Sequence, residues 1–161
     1  MKAFLTAFRA LLYTSGFVWL WGWVALNMRG YDDRLGLQIP QWAETLGLVV
    51  MAAGGVLDFL CVSTFVIRGK GTPAPFDAPR EFVAAGPYRY VRNPMYIGGW
   101  VTLIGFGLYE HSASIVLFSL PWLFFAHLLV VFYEEPNLER RFGQSYLDYK
   151  KSVRRWIPNI S

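Results

Sequence analysis

The chain is short of charge. Asp, Glu, Lys and Arg make up 16% of its 161 residues, against 55% hydrophobic residues and a mean hydropathy of +0.33. Soluble domains carry about a quarter charged residues, so this balance argues against an ordinary water-exposed fold and for the bilayer as solvent. Cysteine is scarcer still, with Cys61 alone inside an apolar stretch. One cysteine closes no internal disulfide, implies no oxidising compartment, and reads as a small buried hydrophobe. No metal site is expected. There is no basic stripe or nucleic-acid motif, so no nucleic-acid partner is expected, and no internal repeat or low-complexity tract stands out. No small-residue cleavage site clearly follows the long first apolar run, so a cleavable signal peptide is not expected.

What the chain has instead is aromatic and apolar mass: 13 Phe, 9 Tyr and 7 Trp, residues suited to a membrane interface. Four apolar runs stand out, at about 10–28, 43–67, 95–109 and 114–133. About 20 apolar residues cross the hydrocarbon core. Three runs satisfy that; the third, roughly 22 Å long as a helix, needs tilt, local thinning or a recessed end. With the N-terminus in the cytoplasm, that side holds Lys2, Arg9, Arg68, Lys70, Arg80, Arg89, Arg92, Arg140, Arg141, Lys150, Lys151, Arg154 and Arg155. Only Arg29 and Arg34 fall outside. The positive-inside rule therefore predicts a single all-α, multi-pass integral membrane domain over 1–161, with four transmembrane helices and both termini cytoplasmic. A proline- and glycine-rich cytoplasmic loop covers about 68–93. The tail 134–161 reads as an amphipathic helix ending before Pro158.

Two polar knots sit against this apolar background. In "GPYRYVRNPMYIGGW", residues 86–100, Asn93 and Pro94 form a helix start, with asparagine as N-cap and proline at the first helical position. The free N–H groups of that start, beside Arg89 and Arg92, suit a carboxylate or a lipid phosphate. In "YEEP", Glu134 and Glu135 stand where the fourth run ends. Paired carboxylates there either form an interfacial ion pair with the arginines or bind a cationic or hydroxyl-rich ligand. An anion-binding helix start facing two carboxylates suits a zwitterion such as S-adenosylmethionine, with its carboxylate, amine, sulfonium and ribose diol. Two further polar groups lie inside apolar runs: Asp58, and His127, seven residues before Glu134 and so on one helix face with it. Each is either a substrate-site residue or part of an interhelical hydrogen bond. The glycines Gly98, Gly99, Gly105 and Gly107 permit close helix packing. The oligomeric state is not readable.

"GPYRYVRNPMYIGG" followed by "YEEPNLERRFGQSYLDYKKSVRRWIP" resembles the integral-membrane methyltransferases, the isoprenylcysteine carboxyl methyltransferase and phospholipid N-methyltransferase group, over roughly 40–158. The resemblance implies a helical membrane fold with no Rossmann domain, and S-adenosylmethionine bound near the cytoplasmic face, leaving S-adenosylhomocysteine. The family's Arg-His-Pro-x-Tyr-x-Gly pattern falls on Arg92, Asn93, Pro94, Tyr96 and Gly98, and its Glu-Glu pair on Glu134 and Glu135. Asn93 departs from the histidine of the carboxyl methyltransferases and, with "NPMY" and "YEEP", leans toward the phospholipid enzymes. Of their earlier Gly-x-Gly pattern only Gly54 carries over. The expected activity is methyl transfer to a membrane-embedded, lipid-type acceptor, a phospholipid amine first and an isoprenylcysteine-type carboxyl or thiol second. Arg89, Arg92 and Glu135 are the expected catalytic residues. Tyr88, Asp58 and His127 are the expected acceptor-side residues. An NADPH-dependent sterol-type reductase and a non-catalytic helical subunit are the competing readings.

Overall fold

A computed structural model describes residues 2–69, 71–72 and 81–158; Lys70 and Arg80 lie outside them, as does about a third of the predicted central loop. Seven α-helices account for most of the described residues: α1 (Lys2–Met28), α2 (Asp32–Leu35), α3 (Ala43–Thr64), α4 (Pro94–Tyr109), α5 (Ala113–Leu129), α6 (Glu135–Phe142) and α7 (Gln144–Ser152). No strand occurs among the described residues, so there is no Rossmann sheet there. Two π-helical turns extend the helices: Phe65–Gly69 continues α3, and Val130–Glu134 joins α5 to α6.

Two continuous helices are long and apolar enough to cross a membrane, Ala43–Gly69 and Ala113–Phe142. Most of their apolar surface faces outward: Phe59, Phe124, Phe125 and Phe132 are all more than half exposed. Such surface is costly in water and natural against lipid tails. The 27 residues of α1 and the 16 of α4, the latter about 24 Å long, complete the bundle without meeting the same criterion of length and apolarity.

α3 and α4 form the most extensive helix pair, and glycine is the reason. A Cβ on Gly47 would come 2.7 Å from the Gly105 carbonyl oxygen, and one on Gly54 would come 2.6 Å from the Gly98 carbonyl oxygen. Gly47, Gly54 and the buried Cys61 recur at sevens along α3, as do Gly98 and Gly105 along α4. A seven-residue repeat keeps one seam facing a partner over several turns, and small residues let the backbones touch. On its other side α4 meets α5, where Gly99 faces Trp122 and Gly107 faces Val116 and Ile115.

The two ends of the bundle differ. At one end Arg29 Nη1 pairs with Glu110 Oε2 at 2.6 Å, tying the end of α1 to that of α4. There the Asp32 and Ser112 side chains accept from the Ser114 and Ile115 amides at 2.8 and 3.2 Å, capping α5. At the other end lie the C-terminus of α3, the N-terminus of α4 and the junction of α5 with α6. The tail differs from the single amphipathic helix expected. Gly143, at φ +53°, breaks it into α6 and α7, and after Ser152 the chain runs on to Pro158 without helix, back over this second end.

Candidate functional site

α4 begins at Pro94, as the sequence predicts, but the expected asparagine cap is absent. Asn93 makes no side-chain cap bond; its Nδ2 donates instead to the Arg155 carbonyl oxygen at 3.2 Å. The neighbouring Arg92 amide donates to the Arg154 carbonyl oxygen at 2.9 Å. A returning tail thus competes successfully for the asparagine, and the first N–H groups of α4 are left without that side-chain acceptor.

The two polar knots converge. Arg92 Nη2 lies 3.3 Å from Glu135 Oε1, with both side chains more than nine-tenths buried. Arg155 meets the same carboxylate with two prongs, Nε to Oε1 at 2.7 Å and Nη2 to Oε2 at 3.0 Å. Lys150 Nζ stands 3.5 Å from Oε2. Three cations around one buried carboxylate offset its desolvation. The hydrogen bonds that Arg155 donates to Glu135 push its guanidinium up from its ordinary value, and burial together with the Glu135 charge pushes the nearby Tyr146 hydroxyl up to about 12. Arg92 is not used up by this contact: its Nε and Nη1 are buried and unpartnered.

Glu134 is held differently. The Tyr96 hydroxyl donates to Glu134 Oε1, leaving the second carboxylate oxygen unclaimed by that bond. The Tyr96 ring packs against Trp122 and Trp156, each with centroids 6.4 Å away, and Trp156 Nε1 donates to His127 Nδ1 at 3.0 Å. The helical-face argument for His127 and Glu134 does not carry through, because the π-helical turn Val130–Glu134 interrupts the α spacing between them. The two are linked instead through Trp156 and Tyr96.

The remaining candidates fall into three places. Tyr88 is buried in the Gly86–Arg89 turn against Cys61 and Phe65, and its carbonyl oxygen accepts from the Tyr149 hydroxyl at 2.6 Å. Asp58 sits against Gly98, where an added Cβ would collide with its carboxylate; Asp58 Oδ1 is buried and unpartnered. Gly98 therefore has a packing reason to be glycine. Arg89 is exposed, has no ion pair or side-chain hydrogen bond among the described residues, and stands apart from the cluster. Sequence reasoning missed Arg155, Lys150, Tyr149 and Trp156. The available signal was "RRWIP": two arginines and a tryptophan just before a helix-stopping proline.

A buried, part-free arginine, a carboxylate bonded by Tyr96 at one oxygen, and the start of α4 are groups of the kind that suit a small zwitterion. The model of the phospholipid methyltransferase family matches residues 42–145, which include all of these except the returning tail. Among curated proteins, the chain is 27% identical to protein-S-isoprenylcysteine O-methyltransferase A of Arabidopsis thaliana over 78% of its own length and 64% of that protein's. It is 40% identical to the Schizosaccharomyces pombe protein-S-isoprenylcysteine O-methyltransferase over 48% of this chain and 33% of the relative. It is also 25% identical to methanethiol S-methyltransferase of Crocosphaera subtropica over 88% of this chain and 55% of the relative. The chain thus spans less than two thirds of each of these relatives. With the model match covering well over half of it, the chain belongs to the phospholipid methyltransferase family.

Proposed function

We propose that this chain transfers a methyl group from S-adenosylmethionine to a lipid-type acceptor at the cytoplasmic leaflet, from a bundle of four membrane spans with both termini cytoplasmic. The observation that carries the proposal is Arg92: a buried guanidinium with Nε and Nη1 free, fixed by Glu135 just before α4, while Tyr96 of α4 holds the adjoining Glu134. The chemistry of these groups supports that donor. Arg92 and the first amides of α4 receive a carboxylate, and Glu134 receives an amine or a ribose diol. Glu135 and Asn93 position: the first holds Arg92 and Arg155, the second ties Pro94 and the helix start to the returning tail. Gly98 lets Asp58 pack behind α4. The four-span reading draws on the segregation of basic residues and on the lengths of α1 and α4.

Bound S-adenosylmethionine supplies an already activated methyl group. The residues need to hold the acceptor in line and exclude water. A carboxylate acceptor needs no base. An amine acceptor sheds a proton, and Glu134 is the better-placed receiver because Glu135 is committed to its cations. The relatives' names favour an isoprenylcysteine-type acceptor, and we place it first. A phospholipid amine is the second reading, favoured by the description of the matching family. Arg89, exposed and without a side-chain partner among the described residues, is suited to a lipid phosphate.

Calorimetry with S-adenosylhomocysteine tests the donor, and transfer of labelled methyl into total membrane lipid and into N-acetyl-S-farnesylcysteine tests the acceptor. Binding by the wild-type protein, lost in R92A, with label on the prenyl probe, is the expected result. Wild-type affinity in R92A removes the site assignment, and no binding at all removes methyl transfer.

A further inference from the structure

The free nitrogens of Arg92 have no open path to them. Nε and Nη1 are buried and unpartnered, on a side chain only 8% exposed. A ligand carboxylate reaches them only if a neighbouring segment moves. Three segments touch Arg92 or its partner carboxylate: α6 through Glu135, α7 through Lys150, and the returning tail. The first two are helices, with their own backbone bonds. The tail is not. The Val153 amide closes α7 on the Tyr149 carbonyl oxygen at 2.9 Å; among the described residues, no amide of 154–157 donates to a backbone carbonyl.

What holds this stretch down ends on the site. The Arg154 carbonyl oxygen accepts from the Arg92 amide at 2.9 Å, and that of Arg155 from Asn93 Nδ2 at 3.2 Å. The Arg155 guanidinium grips Glu135. The Trp156 ring leans on Tyr96, and its Nε1 donates to His127. Arg154 and Ile157 are exposed, so the stretch lies at the surface. A surface segment held by a few polar contacts opens far more cheaply than the helices beneath it.

We infer that 153–157 is a strap that lifts to admit the methyl donor and closes again over it. The inference rests on the methyl-transfer reading above and adds to it how the donor is exchanged. Lifting frees the Arg92 amide and the Asn93 side chain together, so the movement that opens the path also bares two more donors just before α4. Closing returns Arg155 to Glu135 and shuts water out of the site. Entry and exit both pass through the lifted state, so loosening the strap speeds both.

The test uses the full chain in lipid nanodiscs with S-adenosylhomocysteine as the probe. W156A removes the hold on Tyr96 and His127 and leaves Arg92, Glu134 and Glu135 in place. Surface plasmon resonance is expected to show association and dissociation both faster by about tenfold, the effect of about 1.4 kcal/mol less to lift the strap, with Kd moved by less than about threefold. An unchanged association rate overturns the inference, whatever the dissociation rate, because a merely structural tail would alter only retention. Hydrogen exchange on the wild type needs no variant. Corrected for intrinsic rates, the Arg92 amide should exchange at least about 100-fold faster than the buried Leu103 amide of α4, and should slow when the probe is bound. An Arg92 amide as slow as that of Leu103 overturns the strap. No binding of the probe by the wild type removes the donor reading; binding with a strap that never opens removes this inference alone.

Discussion

Arg155 reaches back to Glu135, twenty residues earlier, and closes on it with both prongs, Nε at 2.7 Å and Nη2 at 3.0 Å. This contact ties the C-terminal tail to the start of α6, while the Arg155 carbonyl oxygen ties it to Asn93 at the start of α4. R155A leaves Glu135 with Arg92 and Lys150 only. Because Arg155 is partly exposed, solvent screens part of the loss; a fall in stability of about 1–3 kcal/mol is expected. Thermal unfolding in detergent reads it, and a cycle with E135Q should show coupling between the two positions. Additive single and double variants would mean that the grip contributes nothing.

Arg92 separates charge from geometry. Lysine keeps the charge but loses the planar fork, and with it Nε and Nη1, the donors left free for a carboxylate. R92K is expected to weaken S-adenosylhomocysteine binding by about 10- to 100-fold, or roughly 1.4–2.8 kcal/mol, with a smaller effect on melting temperature. Calorimetry distinguishes this from simple unfolding. An R92K protein that binds as wild type would show that the free nitrogens are not the anion site.

Tyr96 places Glu134 by a single hydroxyl. Y96F keeps the ring stack on Trp122 and Trp156 and removes only that donor. Leaving a buried carboxylate without its partner costs about 1–3 kcal/mol. The expected outcome is a kcat lowered by about 10- to 100-fold if the loss falls on the transition state, with the stack intact by tryptophan fluorescence. An unchanged rate would remove Glu134 from the reaction.

The α3–α4 seam offers a suppressor test. In G98A the new methyl meets the end of the Asp58 side chain, whereas in G105A it meets the Met51 backbone. Overpacking costs about 1–3 kcal/mol, and each single variant should melt lower. Adding D58A should recover much of the loss in G98A and none of it in G105A, because a side chain can be shortened and a backbone cannot. Equal rescue of both would contradict the packing described.

Much of this was legible beforehand, for identifiable reasons. The apolar runs located the long helices because length and composition alone decide whether a segment suits a bilayer. α3 with its extension ends within two residues of the expected boundary. That the arginine-bearing turn and the twin acids share one end of the bundle was legible from the order of the apolar runs, whereas the pairing of Arg92 with Glu135 was only one of two readings the sequence left open. What escaped was the return of the tail. Its helical pattern was read straight through Gly143, and the non-helical stretch 153–156 has no periodicity to mark it. Asn93 was misjudged for the same reason: its side-chain amide is oriented by donating to the Arg155 carbonyl, a partner 62 residues away that no local pattern announces.

The π-helical turn Val130–Glu134 sets the phase of everything after it. A five-residue π turn sweeps about the same angle as four residues of ordinary α-helix, so the acids face as four α residues would leave them. Losing one residue there is absorbed by reverting to α winding, with the acids still turned toward Tyr96 and the three cations; losing a second turns both by about 100°. This stretch thus carries one residue of slack in length that an unbroken α-helix lacks.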